Sequence, residues 1–254
     1  MNDFIDRYLT RIKYAGNLAV DVHTLQQLHE CHVLSIPFES LDIFWKRPIQ
    51  LTIQTLFRKV VENRRGGFCY ELNYLFYRLL IDLGFNAAMV SSRIIDRGGQ
   101  LGPEFDHMSI VVKLEQLWLV DVGYGDLFLK PIEIKDGNIV RDKFRYYQIC
   151  HLENEKYSLN ESKSGSDFQL RYEFTVKQRT IEDFYDQCYH KQYSKESFFV
   201  QNRVCTMPSA SGRVTIINDR LIKRWGDMKE ESKISTEMQF DQIIEQEFGI
   251  KLIE

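Results

Sequence analysis

The sequence predicts an α+β protein with its helices first, its strands in one long succession after them, and a helix to close. Three observations carry the prediction. Apolar residues recur at helical spacing as far as Gly84. Beyond Gly84 the period changes to two and holds through seven short segments bounded by turn residues. No helical segment separates those seven, so they read as an antiparallel sheet or barrel and not as alternating βαβ units.

In the first third, Phe4, Ile5, Tyr8, Leu9 and Ile12 make one apolar stripe. Leu25, Leu28, His29 and the run from Cys31 to Leu34 make a second, and Ile53, Leu56, Phe57, Val60 and Val61 a third. Between these two, Ile36 to Ile43 reads as a loop fixed by Pro37 and Pro48. A fourth helix starts near Cys69, where Phe68, Leu72, Leu75, Phe76, Leu79 and Leu80 keep the spacing and Gly84 supplies a left-handed cap.

The strand segments run from Ala87 to Ile95, His107 to Lys113, Leu117 to Val122, Phe128 to Ile134, Phe144 to Leu152, Lys156 to Asn160 and Phe168 to Val176. A helical stretch from Thr180 to Tyr189 follows, then strands near Phe198 to Thr206, Arg213 to Ile217 and Leu221 to Trp225. Thr236 and Gln239 form a capping-box pattern for the last helix, which carries Phe240, Ile243, Ile244 and Phe248 on one face and ends at Gly249. There is no repeat and no flexible linker, so the parts read as packed subdomains.

A chain of 254 residues is long enough to bury a sizeable core, and 44% hydrophobic with 27% charged residues is the composition of a soluble globular protein. The net charge of −3 argues against a nucleic-acid-binding surface. No run of about 18 apolar residues is present to span a membrane, and the charges scattered through the first twenty residues leave no signal-peptide core. Five widely spaced cysteines without a Cys-x-x-Cys pair fit reduced thiols and a cytoplasmic location.

The chemistry centres on Arg64-Arg65-Gly66-Gly67-Phe68-Cys69-Tyr70-Glu71. Cys69 falls in the first turn of its helix, where backbone N–H groups lack partners and the dipole presents about half a positive charge, so a thiolate is favoured over a thiol. The glycine pair would let a substrate carbonyl approach the backbone and the N–H groups line an oxyanion hole. A free cysteine is more often a small buried hydrophobe. A base and an orienting acid decide between the two readings.

His107 and Asp121 lie fourteen residues apart on one expected hairpin. With the turn centred on Leu114, residue 107 faces 121 and residue 108 faces 120. Asp121 interrupts the apolar strand Trp118-Leu119-Val120-Asp121-Val122-Gly123-Tyr124-Gly125. An unpaired buried carboxylate costs several kcal/mol, and His107 is the nearest partner. The carboxylate would orient the ring and favour its charged form, which in turn favours a thiolate. Cys69, His107 and Asp121 then stand as nucleophile, base and orienting acid.

Those two motifs, with Ile36-Pro37-Phe38-Glu39-Ser40-Leu41, resemble the arylamine N-acetyltransferase family. The resemblance runs in order through residue 125 and continues more loosely to Cys205-Thr206-Met207-Pro208-Ser209-Ala210-Ser211-Gly212-Arg213. It implies a helical bundle (1–84) carrying the nucleophile, an antiparallel β-barrel (85–178) carrying His and Asp, and an α/β lid (179–254), around a core like that of cysteine proteases. It implies acetyl-CoA as co-substrate, an aromatic amine or hydrazine as acceptor, and a part in the metabolism of foreign compounds. By the same resemblance Cys69, His107 and Asp121 are the triad, Arg65 and Glu39 a supporting ion pair, and Ser209, Ser211 and Gly212 the segment meeting CoA. Phe38 and Tyr124 are the candidates for stacking on the acceptor, although Phe38 reads equally as core. Two positions depart from the family: Ser40 replaces the usual asparagine, and Tyr124 replaces the commoner phenylalanine and adds a hydroxyl.

The same triad order serves papain-like hydrolases and transglutaminases, and an amide synthase using another acyl thioester is a closer variant. A redox sensor needs only the thiol and leaves His107 and Asp121 without a purpose. His29-x-x-His32 shares a helix face but lacks further ligands, so no metal is expected. Lys46-Arg47, Arg58-Lys59 and Lys223-Arg224 read as solvated surface, any of which could meet CoA phosphates.

Overall fold

The computed structural model describes residues 3–96, 98–143, 145–209 and 211–252. The first two apolar stripes form α1 (Asp3–Arg11) and α2 (Val22–Ser35), the latter capped by the Asp21 carboxylate, which accepts the Thr24 N–H at 2.7 Å. The segment read as a loop instead holds a short strand, β1 (Phe38–Glu39), and a single helical turn, α3 (Leu41–Phe44). A two-residue strand shows no periodicity, and this one exists because Phe38 and Glu39 pair with Thr206 and Cys205 far along the chain.

The third stripe forms α4 (Ile53–Phe57), which widens into a π-helical turn over Arg58–Glu62. The fourth forms α5 (Cys69–Asp82), followed by Gly84 at φ +92°. Leu72, Leu75, Phe76 and Leu79 of α5 are fully buried and join α1 and α2 to the first strands in one core.

The strands β2 (Asn86–Ile94), β3 (His107–Lys113), β4 (Leu117–Val120), β5 (Ile132–Glu133), β6 (Ile139–Arg141), β7 (Tyr146–Glu153), β8 (Lys156–Ser162) and β9 (Gln169–Thr175) form an antiparallel sheet in the order β5-β4-β3-β2-β9-β8-β7-β6. The sheet curls toward a barrel. Its edges approach where the Asn138 side chain donates to the Glu133 carbonyl at 3.0 Å. The strand expected from Phe128 shrinks to Ile132–Glu133, because Phe128 and Leu129 are buried as loop residues plugging the core. Phe144, the expected start of the next strand, lies outside the described residues.

The β3–β4 register also differs from expectation. Ile110 pairs with Val120 and Lys113 with Leu117, so the turn is centred on Glu115. A displacement of two residues preserves the face, and His107 and Asp121 meet on a diagonal instead of directly opposite.

A 3₁₀ turn over Ile181–Phe184 leads into α6 (Tyr185–Tyr193) and α7 (Phe198–Gln201). Phe198 to Gln201 was expected as strand. It is helical instead, with Phe199 packing on Phe38 and Phe68 at 5.9 and 6.1 Å between ring centroids. The second sheet joins β1 to β10 (Val204–Pro208), β11 (Gly212–Ile217), β12 (Arg220–Trp225) and β13 (Met228–Lys233), all antiparallel. The last helix, α8 (Glu237–Phe248), lays Phe240, Ile244 and Phe248 against Cys205 and Ile216 of that sheet and ends at Gly249, φ +68°. Among the described residues no helix is long and apolar enough to cross a membrane.

Candidate active site

Cys69 opens α5 and is 4% exposed. The residue before it, Phe68, has no side-chain acceptor to cap the helix. Glu71 reaches back instead and accepts the Phe68 N–H at 3.1 Å. The N–H groups of Cys69 and Tyr70 fall in the first turn of α5, where the helix itself offers them no acceptor. The glycine pair works differently from the expectation: the space a side chain would take is filled by the protein itself. A Cβ on Gly66 would collide with the Pro37 carbonyl, and one on Gly67 would lie 2.9 Å from the Glu71 side chain. Close packing requires these glycines, not room for a substrate. Gly123 meets Cys69 in the same way, since a Cβ there would sit 2.8 Å from both Cα and the carbonyl oxygen of Cys69.

The diagonal pairing brings His107 Nε2 to 2.7 Å from Asp121 Oδ2, with both residues buried. Cys69 lies close enough to the ring for its side chain to act on the titration of His107. With Nε2 engaged by the carboxylate, Nδ1 is the nitrogen left for the sulfur. Burial alone would lower the pKa of His107, but the Asp121 charge and hydrogen bond, with the Cys69 contact, outweigh it and push it up to about 10. Burial likewise opposes ionisation of Asp121, and His107, Asn73 and the Gly123 N–H overcome it and hold the carboxyl below its ordinary range. Asp121 Oδ1 accepts from Asn73 Nδ2 at 2.9 Å and from the Gly123 N–H at 3.0 Å. Tyr124 and Tyr172 flank the His107 ring, each with its centroid at 5.6 Å.

Beneath Cys69 lies a largely buried ionic cluster of three carboxylates and two cations. Arg65 Nε donates to Glu39 Oε1 at 2.9 Å and its Nη2 to Asp42 Oδ1 at 3.0 Å. Lys59 Nζ reaches Glu71 at 2.8 Å and Asp42 at 2.8 Å. The expectation of a solvated Lys59 is therefore corrected. The π turn at the end of α4 carries its ammonium inward, where the carboxylates raise its pKa against the opposing effect of burial. Burial is also the main reason that the Glu71 pKa is raised. Ser40, by contrast, has a buried hydroxyl without a hydrogen-bond partner.

Phe38, Asp121, Tyr124, Gly125, Thr206 and Arg213 line a small cavity of about 20 Å³, room for about one water. It adjoins a cavity of about 430 Å³ between the two sheets, with Leu127, Pro208 and Arg213 common to both. The larger space is lined by five cations, Arg145, Lys163, Arg213, Arg224 and Lys229, against three carboxylates, Asp126, Asp142 and Asp227. Arg213, Arg224 and Lys229 are register partners across β11, β12 and β13. Of the three residues expected at the CoA segment, Gly212 lines this cavity. Ser209 is engaged in closing the hairpin, its Oγ accepting the Gly212 N–H at 3.0 Å, and Ser211 is exposed. Ala210 lies outside the described residues.

Two contributors were missed in the sequence, one not singled out and the other weighed only as a metal ligand. Asn73, one helical turn after Cys69, grips both Asp121 and the Met108 carbonyl. An amide so placed in an apolar helix, on the face of the nucleophile, was the available signal. The other is His29. Both its ring nitrogens are engaged, Nδ1 by the Leu129 carbonyl at 2.8 Å and Nε2 by the Asp121 N–H at 3.3 Å, and His32 Nδ1 meets the Tyr8 hydroxyl at 3.0 Å. All five cysteines are free thiols.

Residues 21–254 match the family model described as N-acetyltransferase, which places the chain among enzymes that acetylate nitrogen. More narrowly, the chain belongs to the arylamine N-acetyltransferase family. It is 30% identical over 221 residues to the arylamine N-acetyltransferase of Escherichia coli K12, covering 86% of this chain and 78% of that protein. The fold matches the arylamine N-acetyltransferase of Salmonella typhimurium with a TM-score of 0.93 at 26% identity, over 100% of this chain and 93% of the other. A Bacillus cereus arylamine N-acetyltransferase, described as having a unique Cys-His-Glu catalytic triad, matches at TM-score 0.91 and 26% identity, over 99% and 100% of the two chains. In the present chain the carboxylate bonded to His107 is that of an aspartate, Asp121.

Proposed function

We propose that this protein transfers an acetyl group from acetyl-CoA to the nitrogen of an arylamine or arylhydrazine, through an acetyl-Cys69 intermediate. The observation that carries the reading is the buried group of Cys69, His107 and Asp121, with Cys69 at the first turn of a helix. The Cys69 sulfur attacks the thioester carbonyl, and the N–H groups of Cys69 and Tyr70 receive the developing oxyanion. The carbon–sulfur bond to CoA then breaks, and His107 gives the departing thiolate its proton. In the second half the acceptor nitrogen attacks the acetyl carbon, His107 takes the nitrogen's proton, and Cys69 leaves as thiolate. Asp121 keeps the proton of the neutral ring on Nε2, so that Nδ1 faces the sulfur.

The row of Arg213, Arg224 and Lys229 supports the larger cavity as the seat of the CoA phosphates. Like charges in direct register repel, and Lys163 and Arg224 have no carboxylate partner among the described residues. Bound phosphates would remove that repulsion. Ser209, Ser211 and Gly212 would border the path of the donor, while Phe38 and Tyr124 would close on the acceptor ring. The same reading divides the labour along the chain into 1–84, 85–178 and 179–254, and sets the enzyme in the cytoplasm, acting on small foreign aromatic compounds.

Intact-mass spectrometry with acetyl-CoA and no acceptor tests this directly. One added acetyl group is expected, absent in Cys69→Ala and removed by adding an arylamine. A wild-type protein that gains no acetyl group would overturn the proposal.

A further inference from the structure

His29 belongs to α2, far from the hairpin in sequence, and is fully buried. A carbonyl oxygen can only accept, so the 2.8 Å contact to Leu129 places the ring proton on Nδ1. Nε2 is then a lone pair, and the Asp121 N–H donates to it at 3.3 Å. Only the neutral Nδ1–H tautomer makes both bonds. Burial, the largest influence on the ring, lowers its pKa and favours that neutral form, against the opposing pull of Leu129 and of the Asp121 and Asp142 charges. Phe128 stacks on the ring at 5.5 Å and 19°, and Phe76 meets it edge-on at 6.2 Å.

The two bonds fall on the two ends of one segment. Asp121 and Leu129 bound the loop that carries the Asp121 carboxylate, Gly123 against the back of Cys69, and Tyr124 against His107. β4 ends at Val120, so Asp121 is the first residue without a ladder partner, and its N–H is held by His29 instead of by a strand. We infer that His29 is a positioning residue, a clasp at the base of the 121–129 loop that fixes where the Asp121 carboxylate meets His107. The inference rests on the proposed role of Asp121.

The test compares His29→Gln with His29→Asn. Both lose the ring. A glutamine amide reaches the place of Nε2 and can accept the Asp121 N–H, whereas an asparagine amide reaches only the place of Nδ1 and can serve only Leu129. In single-turnover acetylation of Cys69 by acetyl-CoA, His29→Asn is expected to lose roughly 10- to 100-fold in rate, the scale of a misplaced supporting group. His29→Gln should recover most of that loss, with KM for acetyl-CoA little changed in either. Titration of His107 followed by ¹⁵N-histidine NMR should fall in His29→Asn and stay near its wild-type position in His29→Gln. A merely structural histidine would not divide the two variants in this way.

Equal rates and equal His107 titrations in the two variants would overturn the clasp. His29→Phe, which keeps the ring packing, gives an independent comparison if either amide variant fails to fold. It should lose as much as His29→Asn, and a wild-type rate in it would also refute the inference. Asp121→Asn run alongside separates the two failures: if it and the histidine variants all keep the wild-type rate, the role of Asp121 itself is wrong, whereas a large loss in it alone leaves that role standing and removes the clasp.

Discussion

Replacing Asp121 by asparagine changes one atom and should reverse the logic of the site. An ordinary imidazole has a pKa of 6.5, and His107 is pushed up to about 10. At about 1.4 kcal/mol per pH unit, the imidazolium is favoured by something on the order of 5 kcal/mol. Most of that comes from the Asp121 charge and hydrogen bond working against burial, so without the charge burial should carry the ring below 6.5. The asparagine would keep Oδ1 toward its donors, Asn73 Nδ2 and the Gly123 N–H, because a flipped amide would set donor against donor. Its NH2 group would then face His107 Nε2 as a donor. The ring would have to accept there and carry its proton on Nδ1, pointing at the sulfur it must serve. A tautomer reversal of this kind costs a triad about 10³- to 10⁴-fold.

The assay is the quenched-flow burst of acetyl-Cys69, with ¹⁵N-histidine NMR to follow His107. Retention of the wild-type burst, or a His107 resonance still titrating near its wild-type value, would refute the reasoning. Stability supplies a second readout. Because the folded His107 value lies above the unfolded one, its stabilisation is complete below pH 6.5 and is lost as pH rises toward about 10. Asp121 is held below 3.8, so its share is present above that pH and is lost as pH falls through the depressed value. Asp121→Asn should therefore be less stable near neutrality and should show a flatter decline between pH 6.5 and 10.

Arg65→Met leaves the buried Glu39 and Glu71 and the half-buried Asp42 with Lys59 as their sole cation in the cluster, a loss of about 3 to 5 kcal/mol, and calorimetry should show the melting temperature falling by roughly 6 to 20 °C. Ser40→Ala removes a buried hydroxyl that has no partner, so its melting temperature should equal or exceed that of the wild type. Gly123→Ala puts a methyl group 2.6 Å from Asn73 Nδ2 and 2.8 Å from the Cys69 backbone. The shift it forces should lower the acetylation rate by about a hundredfold. Arg224→Glu should raise KM for acetyl-CoA roughly tenfold, the worth of one charge-assisted contact, while alkylation of Cys69 by iodoacetamide stays unchanged.

What could be read in the sequence follows from which faces are buried. α1, α2, α5, β2 and β3 each turn an apolar set toward a core, and their periods appear directly in the residues. β13 is exposed on both faces and β6 is three residues of barrel edge, so neither has an alternation to detect. β1 is defined by its partner Thr206 and not by its own two residues. Cys69, His107 and Asp121 were legible because each interrupts or prefaces an apolar run where its presence has a cost. Lys59 was not, since a lysine beside Arg58 looks solvated until the π turn carries it inward. The hairpin register failed by two residues because Lys113-Leu114-Glu115-Gln116 contains no glycine or asparagine to mark its centre.

The distance from sulfur to imidazole is governed by a single turn of α5. Cys69 and Asn73 are four residues apart and share a helix face. Asn73 donates to the carbonyl of Met108, the residue after His107, and to the carboxylate of Asp121, and it accepts the N–H of Val122 at 3.0 Å. The helix that presents Cys69 therefore also holds the segments that present His107 and Asp121. Gly123 closes the arrangement from behind, and Glu71, two residues after Cys69, ties the helix start to the ionic cluster below. A slide of α5 relative to the sheet would break the three Asn73 bonds at the moment it moved the sulfur, so no soft displacement separates Cys69 from His107. This coupling explains why a small side chain at 123 and an amide at 73 accompany a Cys-His-Asp chain whose members come from one helix and one hairpin.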